Sequence, residues 1–176
     1  MKQNVTPTGV ERVLAREDII VTKTDLKGHL TYTNDIFLKI SAVAEEDALG
    51  KAHNIIRHPD MPAGIYKLLW DTISQGNELF AYIKNLAFDG AHYWVLAHAT
   101  PSFSKDGVHV GYHSMRRHAT PEAIKKIEQV YSAMKASEGD LHGTARAQAS
   151  LTWLEDELRR QQLSYSQWIW QIVDGQ

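Results

Sequence analysis

The chain of 176 residues has no cysteine, and that absence removes disulfides, thiolate metal sites, cysteine nucleophiles and cysteinyl photoadducts at once. It has no run near the roughly 18 consecutive apolar residues that a membrane helix needs. Met1-Lys2-Gln3-Asn4-Val5 lacks the apolar core of a signal peptide, so a soluble, cytoplasmic chain is expected. Nor is there a basic surplus: the formal charge of −2 argues against nucleic acid as a partner. No Gly-x-Gly-x-x-Gly follows a strand, and no Ser-His-Asp or paired-carboxylate arrangement is recognisable, so neither a Rossmann domain nor an enzyme is expected. What remains, 43% hydrophobic and 23% charged, is ordinary globular material for one domain of roughly 100 to 150 residues plus an extension.

Residues 1–18 show no clear period and read as a loosely attached N-terminal arm. The β-branched run Ile19–Thr24 reads as a strand, Asp25-Leu26-Lys27-Gly28 as a turn, and His29–Thr33 as the returning strand. Asn34 stands at a helix start, because the apolar period then lengthens from two to about 3.6. Short helical pieces run to Gly50, and Gly64 to Ile73 is helical, with Ile65, Leu68, Leu69 and Ile73 on one side. Leu79–Leu86, Tyr93–Phe103 and Val108–Met115 read as long strands joined by Asp89-Gly90 and Lys105-Asp106-Gly107. The whole is α+β: a five-stranded antiparallel sheet over residues 19–118 with short helices on one face, and a helical extension over 119–176.

The densest chemistry lies in Asn54-Ile55-Ile56-Arg57-His58-Pro59-Asp60-Met61-Pro62. Pro59 drives His58 towards an extended conformation and Pro62 suits the first turn of a helix. Arg57, His58 and Asp60 are therefore displayed on a stiff connector, with Asp60 placed to act as a helix N-cap.

The element order, Asp89-Gly90 followed by Tyr93-Trp94, and Gly111-Tyr112 in the last strand resemble a PAS domain. The Arg-His-Pro-Asp-Met-Pro string, with Trp70 downstream and Lys84-Asn85 in the next strand, is similar to the PAS sensor of bacterial aerotaxis receptors. That resemblance implies noncovalent FAD, a redox or oxygen signal, and a downstream chemotaxis signalling domain. It also leaves two sources for the chain: a piece of a longer receptor, or a free-standing sensor.

The residues themselves point to a cavity between sheet and helices. Ile83 and Asn85 form one inward row, Val95, Ala97 and Ala99 another, and an inward Gly111 would bring His113 with it. Asn85 and His113 would then be polar groups in an apolar pocket, where they need partners. An isoalloxazine ring supplies carbonyl acceptors and an imide donor; Trp70 could cover it, Asn34 could reach it from the mouth, and Arg57 and His58 could meet a phosphate. FMN is the alternative flavin. A metal or haem held by His109 or His113 is the lesser one, and a cofactor-free interaction module the reading of another class.

Beyond the core, Thr120-Pro121-Glu122 opens a helix with Ile124, Ile127, Val130, Tyr131 and Met134 at helical spacing. A second helix is expected from about Thr144 to Val173, with Leu151, Leu154, Leu158, Trp168 and Trp170 along it. These apolar faces predict a homodimer.

Overall fold

The β-branched segment Ile20–Thr24 forms strand β1 in the computed structural model, which describes residues 5–175. The Asp25 carboxylate shapes the next turn by accepting from the amides of Lys27 and His29 at 2.9 and 2.8 Å. Leu30–Thr33 returns as β2. Helix α1 (Asp35–Ser41) follows, then α2 (Glu45–Ala48), a 3-10 turn at His53–Ile56 and α3 (Ala63–Ser74). Strands β3 (Leu79–Leu86), β4 (His92–Phe103) and β5 (His109–His118) complete one antiparallel sheet in the order β2-β1-β5-β4-β3.

Register decides which side chains face the helices. Ala99 pairs with Ser114 and Ser114 with Thr22, while Ala97 pairs with Ala81 and Arg116. Paired residues share a sheet face, so Tyr112, Ser114 and Arg116 of β5 lie on the same side as Ala97 and Ala99. His113, opposite Thr100 and Lys23, falls on the other side. The expectation that His113 points inward is corrected by this parity.

The N-terminal arm is not loose over its described part. Thr8 donates its amide to the Gly90 carbonyl at 2.9 Å, Val10 and Arg12 exchange backbone bonds with His92 at 2.8 Å, and Leu14 is buried. Residues 1–4 of the expected arm lie outside the described residues.

After the core come α4 (Pro121–Ser137), α5 (Gly143–Arg160) and α6 (Tyr165–Val173). The single second helix expected over 144–173 is two. Gln162 sits in the left-handed region at φ 57°, and Ser164 caps α6 with a complete capping box to Gln167. All three helices fold back on the core. Ile127, Met134, Leu151, Leu154, Leu158 and Trp168 are buried, leaving Trp170 exposed at its edge and packed 4.9 Å from Phe80. The apolar faces that predicted association are thus filled from within the chain.

The fold-back also completes two unfinished elements. Strand β3 is at the sheet edge, and its Phe80 and Tyr82 carbonyls accept hydroxyl hydrogen bonds from Tyr165 and Tyr131 at 3.0 and 2.8 Å. The N-terminus of α3 has no side-chain cap of its own: the cap position falls on Pro62, not on Asp60 as expected, and Asp60 ion-pairs with Lys84 at 2.9 Å. Its amides are satisfied from the extension: Ala63 donates to Glu138 Oε1 at 2.5 Å and Gly64 to Ser150 Oγ at 2.8 Å. A Cβ on Gly64 would meet the Leu151 amide nitrogen at 2.5 Å, so only glycine lets α3 and α5 approach this closely.

Candidate functional site

A cavity of about 310 Å3 lies between the sheet and α3, at the small end of ligand pockets, which run from roughly 300 to 1,000 Å3. Ile56, Leu69, Ile73, Ile83, Ala97 and Ala99 make its apolar surface. The two alanines leave the room that larger residues would fill.

Polar groups interrupt this surface where elements meet. The connector forms an isolated antiparallel bridge between Arg57 and Asn85 of β3, which sets these two side by side on the wall. The Arg57 guanidinium lies over the Tyr66 ring at 3.6 Å. Burial pushes the Tyr66 phenol up to about 12 against the pull of Arg57, so it stays protonated at neutral pH. Trp70 contacts Tyr112 edge to face at 5.3 Å. Its ring edge occupies the space beside Gly28, where a Cβ would lie 2.9 Å away and where φ is 78°.

Sequence reasoning passed over the most buried cation, Arg116. It is 4% exposed and donates from Nη2 to Thr22 Oγ1 at 3.0 Å and to His53 Nε2 at 2.5 Å. Burial, with Arg116 beside it, holds His53 well below its usual range, hence neutral and free to accept. Four buried polar atoms on this wall have no partner: Thr24 Oγ1, Arg57 Nε, Asn85 Nδ2 and Arg116 Nη1. Buried polar groups are ordinarily bonded, and three of these are N–H donors on residues that line the same cavity. Among the described residues no carboxylate lines it. The site can therefore receive a largely apolar molecule that carries hydrogen-bond acceptors.

Of the residues singled out from sequence, Arg57, Trp70, Asn85 and His113 line the cavity, His113 from the outward row of β5. Asn34, His58 and Asp60 do not. The Asn34 side chain is spent on structure: Oδ1 accepts from the amides of Val21 and Phe37 at 3.0 and 3.2 Å, and Nδ2 donates to the Ile19 carbonyl at 2.8 Å. His58 is 3% exposed, accepts the Asp60 amide at Nδ1, and is pushed down to about 4 by burial and by Lys84. It is uncharged at neutral pH and offers a phosphate no positive charge. Asn54 and Arg57 border a second hollow of about 420 Å3 beside His58, Gly143 and Arg146. Among the described residues no group of three metal-ligating side chains comes together, and His109 Nε2 is 3.0 Å from the Gly111 carbonyl.

The PAS fold family model matches residues 30–116. The chain is 37% identical to the aerotaxis receptor of Escherichia coli (strain K12) over 123 residues, which is 70% of this chain and 24% of that one. It is 24% identical to the nitrogen fixation regulatory protein of Klebsiella pneumoniae over 60% of this chain and 21% of that one. The chain thus spans about a quarter of the length of these relatives or less. Among solved structures, the light-state structure of the blue-light photoreceptor Aureochrome1 LOV superposes with a TM-score of 0.55 at 19% identity, covering 65% of this chain and 91% of that one. A light-oxygen-voltage domain described with a flavin analogue gives 0.54 at 16%, covering 63% and 83%. The order of elements, the antiparallel sheet, the cavity under α3 and these matches agree: the chain is built around a PAS domain related to the aerotaxis receptor.

Proposed function

We propose that this PAS domain binds a flavin, FAD in the first instance, and works as a non-enzymatic, cytoplasmic redox or oxygen sensor that passes its state to a chemotaxis-type signalling partner. The observation that carries the reading is the set of unpartnered donors, Arg57 Nε, Asn85 Nδ2 and Arg116 Nη1, on residues that line one cavity with Ala97 and Ala99. The relationship to an aerotaxis receptor and the fold shared with a domain studied through a flavin analogue support it.

The flavin would supply reversible electron uptake. The chain's part is to bind and report. Asn85 and Arg116 would hold the polar edge of the ring, Trp70 would shield it, and the cations at hand for phosphates are Arg57 and Lys27, since His58 is neutral and turned aside. A change in the hydrogen bonds of Arg116 would bear on β5, which leads directly to Thr120 and α4. A second path runs from Tyr66 on α3 to the contact of Gly64 with Ser150 on α5. The homodimer expected from apolar helix faces loses that support, because the faces are buried in the chain's own core. We therefore place the reporting surface on α4–α6 rather than on a helix-mediated pair of copies.

The test is the absorption spectrum of protein expressed with excess riboflavin, followed by chromatography of the chromophore released on denaturation. Released FAD is expected. A Soret band would favour haem, and a colourless supernatant would favour a cofactor-free interaction module.

A further inference from the structure

Arg116 is a buried cation with no anion against it among the described residues. Thr22 reaches it from β1, His53 from the 3-10 turn, Tyr93 from β4 and Tyr66 from α3. None of these is negative at neutral pH: His53 is neutral, and burial raises both phenols. Arg57, Lys27, Tyr112 and, from the outward row of β5, His113 complete the ionisable groups of the cavity wall, and burial depresses His113, so it too is neutral. The wall therefore carries positive charge and no carboxylate. Burial pushes Arg116 down to about 10, which leaves it protonated in the physiological range.

Taking a guanidinium out of water without a counter-ion costs several kcal/mol. Such a charge persists where the surroundings hold it in place, and in a low-dielectric space it acts strongly on whatever enters. Its Nη1 has no partner while Nη2 is doubly held, so the guanidinium is fixed as part of the cavity wall with one nitrogen left unused.

We propose that Arg116 sets the charge of the cavity's guest: it holds the edge of the bound flavin on which negative charge collects, so that the reduced ring is kept as an anion. This rests on the flavin reading above and extends it to how the site biases the redox equilibrium. Uptake of two electrons and one proton turns the neutral oxidised ring into a reduced anion, whereas two electrons and two protons give the neutral reduced ring. Arg116 favours the first product, because a positive charge stabilises an anion over the neutral form that an added proton would make. Thr22 and His53 fix the guanidinium as positioning residues.

The experiment is an anaerobic pH titration of the flavin-loaded protein reduced with dithionite, read from the different absorption of the anionic and neutral reduced ring, beside free flavin in the same buffer. The wild-type guest is expected to take its second proton at least about one pH unit below free flavin, a tenfold bias towards the anion. Arg116→Lys, which keeps a charge on the wall, should retain most of that shift, and Arg116→Gln, loaded at saturating flavin to offset its weaker binding, should lose it. If wild type titrates like free flavin, or if Arg116→Gln titrates like wild type, the proposal is overturned although the flavin reading stands. Should the glutamine variant not fold, the comparison of wild type with free flavin decides alone. A wild-type chain that takes up no flavin defeats the underlying reading instead.

Discussion

Glu138, just beyond the last turn of α4, accepts a hydrogen bond from the backbone amide of Ala63 at the first turn of α3, at 2.5 Å. The carboxylate is almost wholly buried, and Lys135 and Arg146 close on it at 3.0 and 2.7 Å. Burial alone would raise its pKa, but the Ala63 amide and the two cations hold it below the usual carboxylate range. Glu138→Ala should cost about 3 kcal/mol, since it strands two cations and an amide. In a chain of this size that lowers the melting temperature by roughly 6–12 °C, measurable by calorimetry. A shift under a few degrees would mean the extension does not cap α3 in solution.

The contact of α3 with α5 is equally specific. Gly64→Ala places a methyl 2.5 Å from the Leu151 amide nitrogen and 2.8 Å from Ser150 Oγ. Relief requires the helices to part, at about 1–3 kcal/mol. Ser150→Ala should lose about 1 kcal/mol through the Gly64 amide alone. Midpoints equal to that of wild type in both variants would contradict the packing described.

The extension shows how far the amino-acid order could be read. Its first helix is legible because Thr120-Pro121 is a start signal and the apolar spacing is regular. The break before Tyr165 is carried by Ser164 and Gln167, a capping-box pair that could have been seen but was hidden by apolar residues continuing on either side. The long strands were equally plain, because glycine turns at Gly90 and Gly107 separate β3 from β4 and β4 from β5. What failed was the facing of β5. Its inward set, Tyr112, Ser114 and Arg116, is mostly polar, so no hydrophobic alternation marks it, and an arginine is expected at the surface. Arg57 and Asn85 were singled out through composition of the connector and the row parity of β3, and the structure sets them side by side. Asn34 and Asp60 have the chemistry of ligands but are used for capping and ion pairing, a choice fixed by tertiary contacts.

Stability should depend on pH through His58. Its folded pKa is pushed down to about 4, whereas the unfolded ring takes its proton near 6.5. Above 6.5 both states are neutral and the contribution is complete; as pH falls from 6.5 to 4 the unfolded chain binds the proton first and stability is lost, on the order of 2–3 kcal/mol by pH 4. Urea midpoints at pH 7 and pH 5 should differ more for wild type than for His58→Asn, which keeps an acceptor for the Asp60 amide but does not titrate. Parallel curves for the two proteins would show that His58 is charged, or solvated, in the folded state.

Arg57→Ala and Asn85→Ala should each weaken flavin binding roughly tenfold to a hundredfold, about 2 kcal/mol for one lost buried hydrogen bond to a charged or polar partner. Arg57→Lys should recover little, because an ammonium neither stacks on Tyr66 as a plane nor presents a fork. His58→Ala and Asn34→Ala are expected to change stability more than affinity, since neither side chain lines the cavity. Fluorescence titration of the apoprotein separates these outcomes.

The measurement closest to the central claim fills the cavity. Ala97 and Ala99 line it, and replacing Ala97 by Leu puts three more carbons where the ring is proposed to lie, without touching a hydrogen-bonding group. Wild type and Ala97→Leu, purified side by side and matched for folding by circular dichroism, are assayed for flavin released per chain. The account predicts a stoichiometric flavin in wild type and a folded but empty variant; equal flavin in both, or none in wild type, would contradict it.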